Sequence, residues 1–158
     1  MKKFKLEYDI EEIKSLGSWN LNINHKASFL LRKLEEHKKS VIWIDADAIV
    51  RKYPTYFDII QEDIGVHYEN MVGLKGGVVF VNNTQSAKIV LERWKKNSEN
   101  MPSILDQRHL QGVLRGEYIE THNATVFFLP DSYYHIWDLS KGKPTIEHFQ
   151  ASRRFRRR

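Results

Sequence analysis

The stretch Val41-Ile42-Trp43-Ile44-Asp45-Ala46-Asp47-Ala48 decides how this chain is interpreted. Its four consecutive apolar residues predict a strand that is buried on both faces, as in a sheet covered by helices. Side chains alternate along an extended backbone, so Asp45 and Asp47 are expected on one side and Ala46 on the other. Two acids after the carboxyl end of a buried strand stand where open α/β sheets bind ligands.

The spacing of Asp45 and Asp47 indicates a divalent cation. Two carboxylates in a poorly solvated place repel each other unless a cation or a shared proton relieves the repulsion. Mg²⁺ and Mn²⁺ prefer carboxylate oxygens and keep coordination positions open for phosphate. The alternative is that the two acids merely end the strand and cap the element that follows, and the pattern alone does not decide between them.

Length and composition predict one domain over residues 1–150 and a basic tail over residues 151–158. The chain has 158 residues, 41% of them hydrophobic and 28% charged, which is ordinary for a globular domain. Five arginines supply the whole net charge of +5: Arg153, Arg154, Arg156, Arg157 and Arg158. Without them, 20 basic residues balance 20 acidic residues. Specific nucleic-acid binding is therefore not expected, and the tail is either a solvated end or a contact for phosphate, lipid or a partner.

Three absences in the sequence narrow the class of protein. Cysteine does not occur, so disulfides, thiolate metal sites and a cysteine nucleophile are excluded. No run of eighteen apolar residues predicts a membrane span, and no apolar signal-peptide core follows the basic first residues. These features together favour a cytoplasmic location.

Strands and helices alternate along the chain, which predicts an α/β fold with a mixed, mainly parallel sheet flanked by helices. Helices are predicted over residues 24–39, behind an N-cap at Thr84, and over residues 105–114. The predicted strands cover residues 3–8, 41–44, 63–68, 78–81, 124–129 and 145–148, with a flexible glycine loop over residues 73–77.

Several stretches in a fixed order resemble one family. They are Gly17-Ser18-Trp19-Asn20 with Asn24 and Lys26, residues 41–47, Pro54 with Phe57, residues 76–84, Trp94, Asp106-Gln107, and residues 144–148. In this order and spacing the chain resembles the metal-dependent nucleotide-sugar glycosyltransferases of the GT-A fold. The resemblance runs from about Leu16 to His148 and implies a single GT-A-like domain.

The resemblance also implies roles for particular residues. In such enzymes an acid pair holds Mn²⁺ or Mg²⁺ against the diphosphate of a donor such as a UDP- or GDP-sugar, which implies this role for Asp45 and Asp47. His148 matches a histidine that is a further metal ligand in glycogenin-like members. Asp106 and Gln107 match a position near the transferred sugar or the acceptor and are the expected catalytic residues. The implied activity is transfer of a sugar to the hydroxyl of a sugar, lipid or protein acceptor.

Further residues are candidates for contact with the donor. Gly76 and Gly77 either let a ligand approach the backbone closely or form a tight turn before the strand. Lys26 either neutralises a phosphate or is an exposed helix residue, and exposure is the interpretation that the sequence favours. The tryptophans divide into a packing residue, Trp43, and two candidates for stacking on a base or sugar, Trp19 and Trp137.

Other interpretations remain open at this point. Only 44 residues precede Asp45, and a GT-A domain usually devotes more chain than this to the base and ribose. The chain is therefore a minimal or truncated member, a member whose site a partner such as a second copy completes, or a domain that binds a nucleotide sugar without turnover. Haloacid-dehalogenase-like phosphatases also place D-x-D after an apolar strand, with Asp45 then the nucleophile and Asp47 the acid/base. Against them, Ile49 stands where threonine or valine is usual, and no later Gly-Asp pair is convincing.

Overall fold

The computed structural model of the chain describes residues 2–69, 72–116 and 124–151. The α-helices in these ranges are α1 (Trp19–Asn24), α2 (Lys26–His37), α3 (Gln85–Asn100) and α4 (Asp106–Leu114). The strands are β1 (Val41–Ile44), β2 (Ala48–Val50), β3 (Ile64–Glu69), β4 (Gly73–Val81), β5 (Val126–Phe128), β6 (His135–Ile136) and β7 (Ile146–His148). Short 3₁₀ helices cover Lys2–Phe4, Thr55–Asp58 and Asp131–Tyr133. The predicted arginine tail lies outside the described residues except for Ala151.

Two sheets form the framework, and both are mixed. The larger sheet has the order β1-β4-β3-β5, and the smaller has the order β2-β7-β6. The predicted α/β class is confirmed, but the expectation of a mainly parallel sheet is wrong. Of the pairings between described strands, β1–β4, β3–β4 and β2–β7 are antiparallel, whereas β3–β5 and β6–β7 are parallel. The short separation between the end of β3 at Glu69 and the start of β4 at Gly73 explains part of this, because a parallel crossover needs a dozen or more residues.

Strand β4 is the centre of the larger sheet, and its first half corrects the predicted loop over residues 73–77. This segment is strand because Gly73 pairs with Glu69 across a hairpin. The register with β3 then shifts between Val66 and His67, so Gly76 and Gly77 lie at a bulge, where a strand tolerates residues without side chains.

The two faces of β4 enter two different apolar clusters. Val79 and Val81 pack with the helices, together with buried Trp94 of α3. Val78 and Phe80 pack on the other face, in a cluster that lies towards the smaller sheet. Residues 78–81 are therefore buried on both faces, as predicted. The same prediction for residues 41–44 is wrong, because none of the four is buried in the edge strand β1 and Ile42 is 41% exposed.

Helices α2, α3 and α4 begin close to their predicted starts, whereas α1 was not predicted as a helix. Thr84 caps α3, since its hydroxyl accepts a hydrogen bond from the Ala87 amide at 3.1 Å. The predicted strand over residues 3–8 is wrong, because Lys2–Phe4 is a 3₁₀ helix and the following segment is held by ion pairs to α2. Within the described residues, no helix is long and apolar enough to cross a membrane.

Candidate active site

A cavity of about 420 Å³ opens beyond the carboxyl end of β1, between the helices and the smaller sheet. The eight residues predicted for the site all line it: Lys26, Asp45, Asp47, Gly76, Gly77, Asp106, Gln107 and His148. They come from five separate parts of the chain. The fold therefore brings together the residues that the sequence singled out.

Asp45, Asp47 and His148 form a cluster at one end of this cavity. One ligand atom from each lies within 4.8 Å of the other two. The pairing of β1 with β4 continues past β1, because the Asp45 amide donates to the Gly77 carbonyl at 2.9 Å. The pairing of β2 with β7 sets Ala48 opposite His148, which brings the histidine beside the acid pair.

The His148 ring has the properties of a metal ligand. It is 2% exposed, and its Nε2 has no hydrogen-bond partner among the described residues. Burial lowers the pKa of His148 below its usual value, although the charges of Asp45 and Asp47 oppose this shift. The neutral imidazole therefore keeps a lone pair for a cation. Two carboxylates and one imidazole are a donor set that fits Mn²⁺ or Mg²⁺.

Within the described residues, the contacts that hold the Asp45 side chain are made by its Oδ1. Its Oδ1 accepts a hydrogen bond from Trp43 Nε1 at 2.6 Å and lies 3.3 Å from Lys26 Nζ. This arrangement leaves Oδ2 for another partner. The interpretation of Trp43 as a packing residue was incomplete: its ring packs edge-on against Phe29 at 5.6 Å, but its N–H also orients the first acid. The i, i+2 spacing of Trp43 and Asp45 on one strand is the sequence pattern that would have indicated this contact.

Lys26 links the acid pair to helix α4. The residue is 7% exposed, and its Nζ donates to the Gly76 carbonyl at 2.7 Å and lies 2.8 Å from Asp106 Oδ2. Burial lowers the pKa of Lys26, but the charges of Asp106 and Asp45 outweigh burial and raise it, so the ammonium stays charged. The favoured interpretation of Lys26 as an exposed helix residue is therefore wrong. The helix starts at this residue, which faces the cavity rather than solvent.

The first turn of α4 supplies Asp106 and Gln107. Asp106 is 6% exposed and turns towards Lys26, while Leu105 is the N-cap and makes no side-chain cap. Asp106 therefore pairs with Lys26 and does not cap its own helix. Gln107 Oε1 accepts a weak hydrogen bond from the Gly76 amide at 3.4 Å. Both side chains thus stand against the same stretch of β4.

Tyr134 is a cavity residue that the sequence interpretation missed. Its ring lies 4.6 Å from the His148 ring and 5.6 Å from the His67 ring, centroid to centroid. Burial, and then the charge of Asp45, raise the pKa of Tyr134, so its hydroxyl remains protonated. The sequence marked residues 133–137 only as rich in aromatics, because ring contacts between distant segments leave no local pattern.

The tryptophans that were candidates for stacking differ in position. Trp19 lies in the cavity wall. The other lining residues of α1 and the start of α2 follow it at helical spacing: Asn22, Ile23 and Lys26. Trp137 is not among the lining residues; it is 53% exposed and stacks on Phe149 at 6.2 Å. Only Trp19 therefore remains a candidate for contact with a ligand in this cavity.

Comparison with known proteins agrees with the fold and shows the family. The chain belongs to the nucleotide-diphospho-sugar transferase family, whose profile matches residues 20–153. The resemblance found in the sequence is thus confirmed at the level of the family, and it argues against the phosphatase alternative. A search among curated proteins finds no match.

Two solved structures show the same fold. One is a glycosyltransferase involved in the glycosylation of the major capsid of PBCV-1, with a TM-score of 0.68 and 16% identity over 92% of this chain and 79% of that one. The other is the glycosyltransferase GlyE of Streptococcus pneumoniae TIGR4, with a TM-score of 0.54 and 16% identity over 87% of this chain and 38% of that one. At this identity the likeness shows the fold alone.

Proposed function

We propose that this protein is a metal-dependent glycosyltransferase that moves a sugar from a nucleoside-diphosphate donor to a hydroxyl acceptor. The observation that carries the proposal is the cluster of Asp45, Asp47 and His148, whose ligand atoms lie within 4.8 Å of one another in a cavity. Membership of the nucleotide-diphospho-sugar transferase family supports the class of donor.

The proposed cofactor is Mn²⁺ or Mg²⁺, held by Asp45, Asp47 and His148. When bound, such an ion neutralises the negative charge that grows on the departing nucleoside diphosphate. The surrounding residues fix its ligands in advance. Trp43 and Lys26 hold Asp45 on Oδ1, and the Ala151 amide donates to Asp47 Oδ2 at 2.6 Å. Ligands held in this way need little reorganisation during the reaction.

The proposed reaction breaks the bond between the anomeric carbon and the diphosphate oxygen, and forms a bond from that carbon to the acceptor oxygen. The acceptor hydroxyl loses its proton to a base or to the released diphosphate. We assign Asp106 and Gln107 to the transferred sugar or the acceptor, where a carboxylate and an amide hydrogen-bond hydroxyl groups. Lys26, paired to Asp106 at 2.8 Å, keeps that carboxylate in one place.

A thermal-shift experiment tests the metal-dependent binding. UDP and GDP are each added with and without Mn²⁺ to the wild type, to Asp47→Asn and to Asp58→Asn, the last of which changes an exposed acid outside the cavity. We expect a nucleotide to raise the Tm of the wild type and of Asp58→Asn only with Mn²⁺, and to leave Asp47→Asn unchanged. An equal rise without metal contradicts the proposed metal dependence.

Release of nucleoside diphosphate separates an enzyme from a domain that only binds. The wild type is incubated with UDP- and GDP-sugars, Mn²⁺ and simple sugar acceptors, and the free diphosphate is measured. Release by the wild type and not by Asp47→Asn supports transfer or donor hydrolysis at this site. Metal-dependent binding without release from any donor instead favours the non-catalytic alternative.

A further inference from the structure

The segment that follows β7 folds back over the second acid of the cluster. The Phe149 amide donates to the Asp47 carbonyl at 3.0 Å, which extends the pairing of β2 with β7 by one step. Two residues later, the Ala151 amide donates to the Asp47 side chain at 2.6 Å. The backbone after His148 therefore holds both the main chain and the carboxylate of Asp47.

Gln150 makes this second contact possible through an unusual backbone. Its φ is 49°, in the left-handed region that residues with a side chain seldom adopt, glutamine included. The turn at Gln150 directs the next amide back towards Asp47 instead of continuing the strand. Backbone strain of this kind persists where the surroundings determine it, and it concentrates at functional sites.

The side chain of Gln150 reaches a second element of the site. It hydrogen-bonds the Tyr134 side chain, whose ring packs against His148 at 4.6 Å. The Tyr134 ring also stacks on the His67 ring at 5.6 Å with an interplanar angle of 11°, and His67 Nδ1 is fixed 3.0 Å from the Leu129 carbonyl. Tyr134 thus contacts both an anchored ring and the metal-site histidine.

We propose that Tyr134 and Gln150 are positioning residues of the metal centre. Tyr134 sets the orientation of the His148 ring, and Gln150 sets the orientation of the Asp47 carboxylate through the Ala151 amide. The inference rests on the proposed function and extends it to two residues that are not themselves assigned as ligands. Loss of such supporting contacts typically weakens metal binding about 10- to 100-fold.

Mn²⁺ titration by electron paramagnetic resonance tests the role of Gln150, with the metal alone and again with UDP. Gln150→Gly keeps the left-handed turn, whereas Gln150→Val disfavours it. We expect Gln150→Gly to bind Mn²⁺ nearly as the wild type does and Gln150→Val to bind about 10-fold more weakly or worse. Lys38→Val is the matched control, because Lys38 has a φ of 52° at the end of α2, outside the cavity. It should lower the Tm without changing Mn²⁺ affinity.

Two variants test Tyr134 in the same titration. Tyr134→Phe keeps the ring and removes the hydroxyl, so we expect a small loss of Mn²⁺ affinity; Tyr134→Leu removes the ring contact and should lose about 10-fold or more. If Gln150→Val and Tyr134→Leu both bind Mn²⁺ as tightly as the wild type, the inference about positioning residues is wrong, but the proposed metal centre is not affected. If Gln150→Val does not fold, the two Tyr134 variants decide by the same criterion. Absence of Mn²⁺ binding by the wild type, with or without UDP, overturns the proposed metal centre itself.

Discussion

Gly76 and Gly77 are neighbours on β4, yet they face different halves of the cavity. A Cβ on Gly76 would meet Gln107 Cβ at 3.1 Å, on the side of helix α4. A Cβ on Gly77 would stand 2.7 Å from Tyr134 Cε2 and 3.0 Å from His148 Cε1, on the side of the acid cluster. Adjacent strand residues point to opposite faces, so one short backbone stretch is packed tightly by both halves of the site.

Alanine at the two glycines is expected to have different effects. Gly77→Ala forces Tyr134 and His148 apart, so we expect it to cost about 1–3 kcal/mol of unfolding free energy and to weaken Mn²⁺ binding. Gly76→Ala should cost less, because its nearest contact is longer, and should leave Mn²⁺ affinity close to that of the wild type. Urea unfolding and Mn²⁺ titration of both variants measure this. Equal Mn²⁺ affinities in the two variants would contradict the division of the cavity.

Replacement of Lys26 by methionine should destabilise the protein strongly. The substitution leaves Asp106 buried without its cation, and breaking a buried pair in this way costs about 3–5 kcal/mol. The double variant Lys26→Met with Asp106→Leu should recover part of the loss, since no unpaired charge then remains at α4. Chemical denaturation at neutral pH measures all of these changes.

A partly exposed lysine provides the control for Lys26. Lys95 lies 3.1 Å from Glu99 on the surface of α3, and pairs of this kind contribute about 0–1 kcal/mol. Lys95→Met should therefore change the unfolding free energy little. The assignment of Lys26 as a buried link between Asp45 and Asp106 is wrong if the Lys26 and Lys95 variants lose the same unfolding free energy.

Trp43→Phe should separate metal binding from stability. Phenylalanine keeps the ring contact with Phe29 but cannot donate to Asp45 Oδ1, so we expect Mn²⁺ affinity to fall about 10-fold while the unfolding free energy changes by about 1.5 kcal/mol or less. Trp137→Phe is the control, because Trp137 is exposed and outside the cavity. A similar Mn²⁺ affinity in the two variants would show that the Trp43 N–H does not orient the acid.

Asp63 should make stability depend on pH in the acid range. Burial raises the pKa of its carboxyl, but hydrogen bonds from Thr84 and Thr125 outweigh burial and lower it. Because this pKa is lower in the folded state than the unfolded value of about 3.9, the ionised carboxyl stabilises the folded state above about pH 3.9. This stability is lost as the pH falls through the folded-state pKa. Asp63→Asn should therefore lower the unfolding free energy by about 1–3 kcal/mol at pH 7 and by progressively less below about pH 4.

Denaturation curves between pH 2.5 and 7 measure the effect of Asp63→Asn. Glu12→Gln, at an exposed position, should follow the wild type across the whole range. If the difference in unfolding free energy between the wild type and Asp63→Asn stays constant as the pH falls, the hydrogen-bonded carboxylate does not make stability depend on pH as described.

The members of the candidate site were predictable because their residue types carry chemistry. A carboxylate pair after an apolar strand, a late histidine and an Asp-Gln pair were each visible in the sequence, and all line one cavity. Their surroundings were not predictable in the same way. The exposure of Lys26 depends on which stripe of its helix faces the sheet, and the roles of Tyr134 and Gln150 depend on contacts between distant segments.

The fold was predictable by class but not by strand direction. The apolar run at residues 78–81 predicts the buried half of β4. The glycines at positions 73, 76 and 77 instead predict a loop, because glycine weakens strands. Pairing with Glu69 and the bulge beside Val66 keep this segment in the sheet, and both are tertiary features. Strand order and direction likewise follow from pairing partners that alternation along the sequence does not specify.

The contact between Asp47 and Ala151 has a consequence for synthesis of the protein. Its two partners are 104 residues apart in the chain. At 5–20 residues per second, a ribosome needs about 5–20 s to add that length. During this interval the nascent polypeptide presents the acid pair without the imidazole and the amide that later surround it. If the protein binds a cation at this cluster as proposed, we therefore expect capture of the cation late in biogenesis, after the earlier parts of the fold have been synthesised.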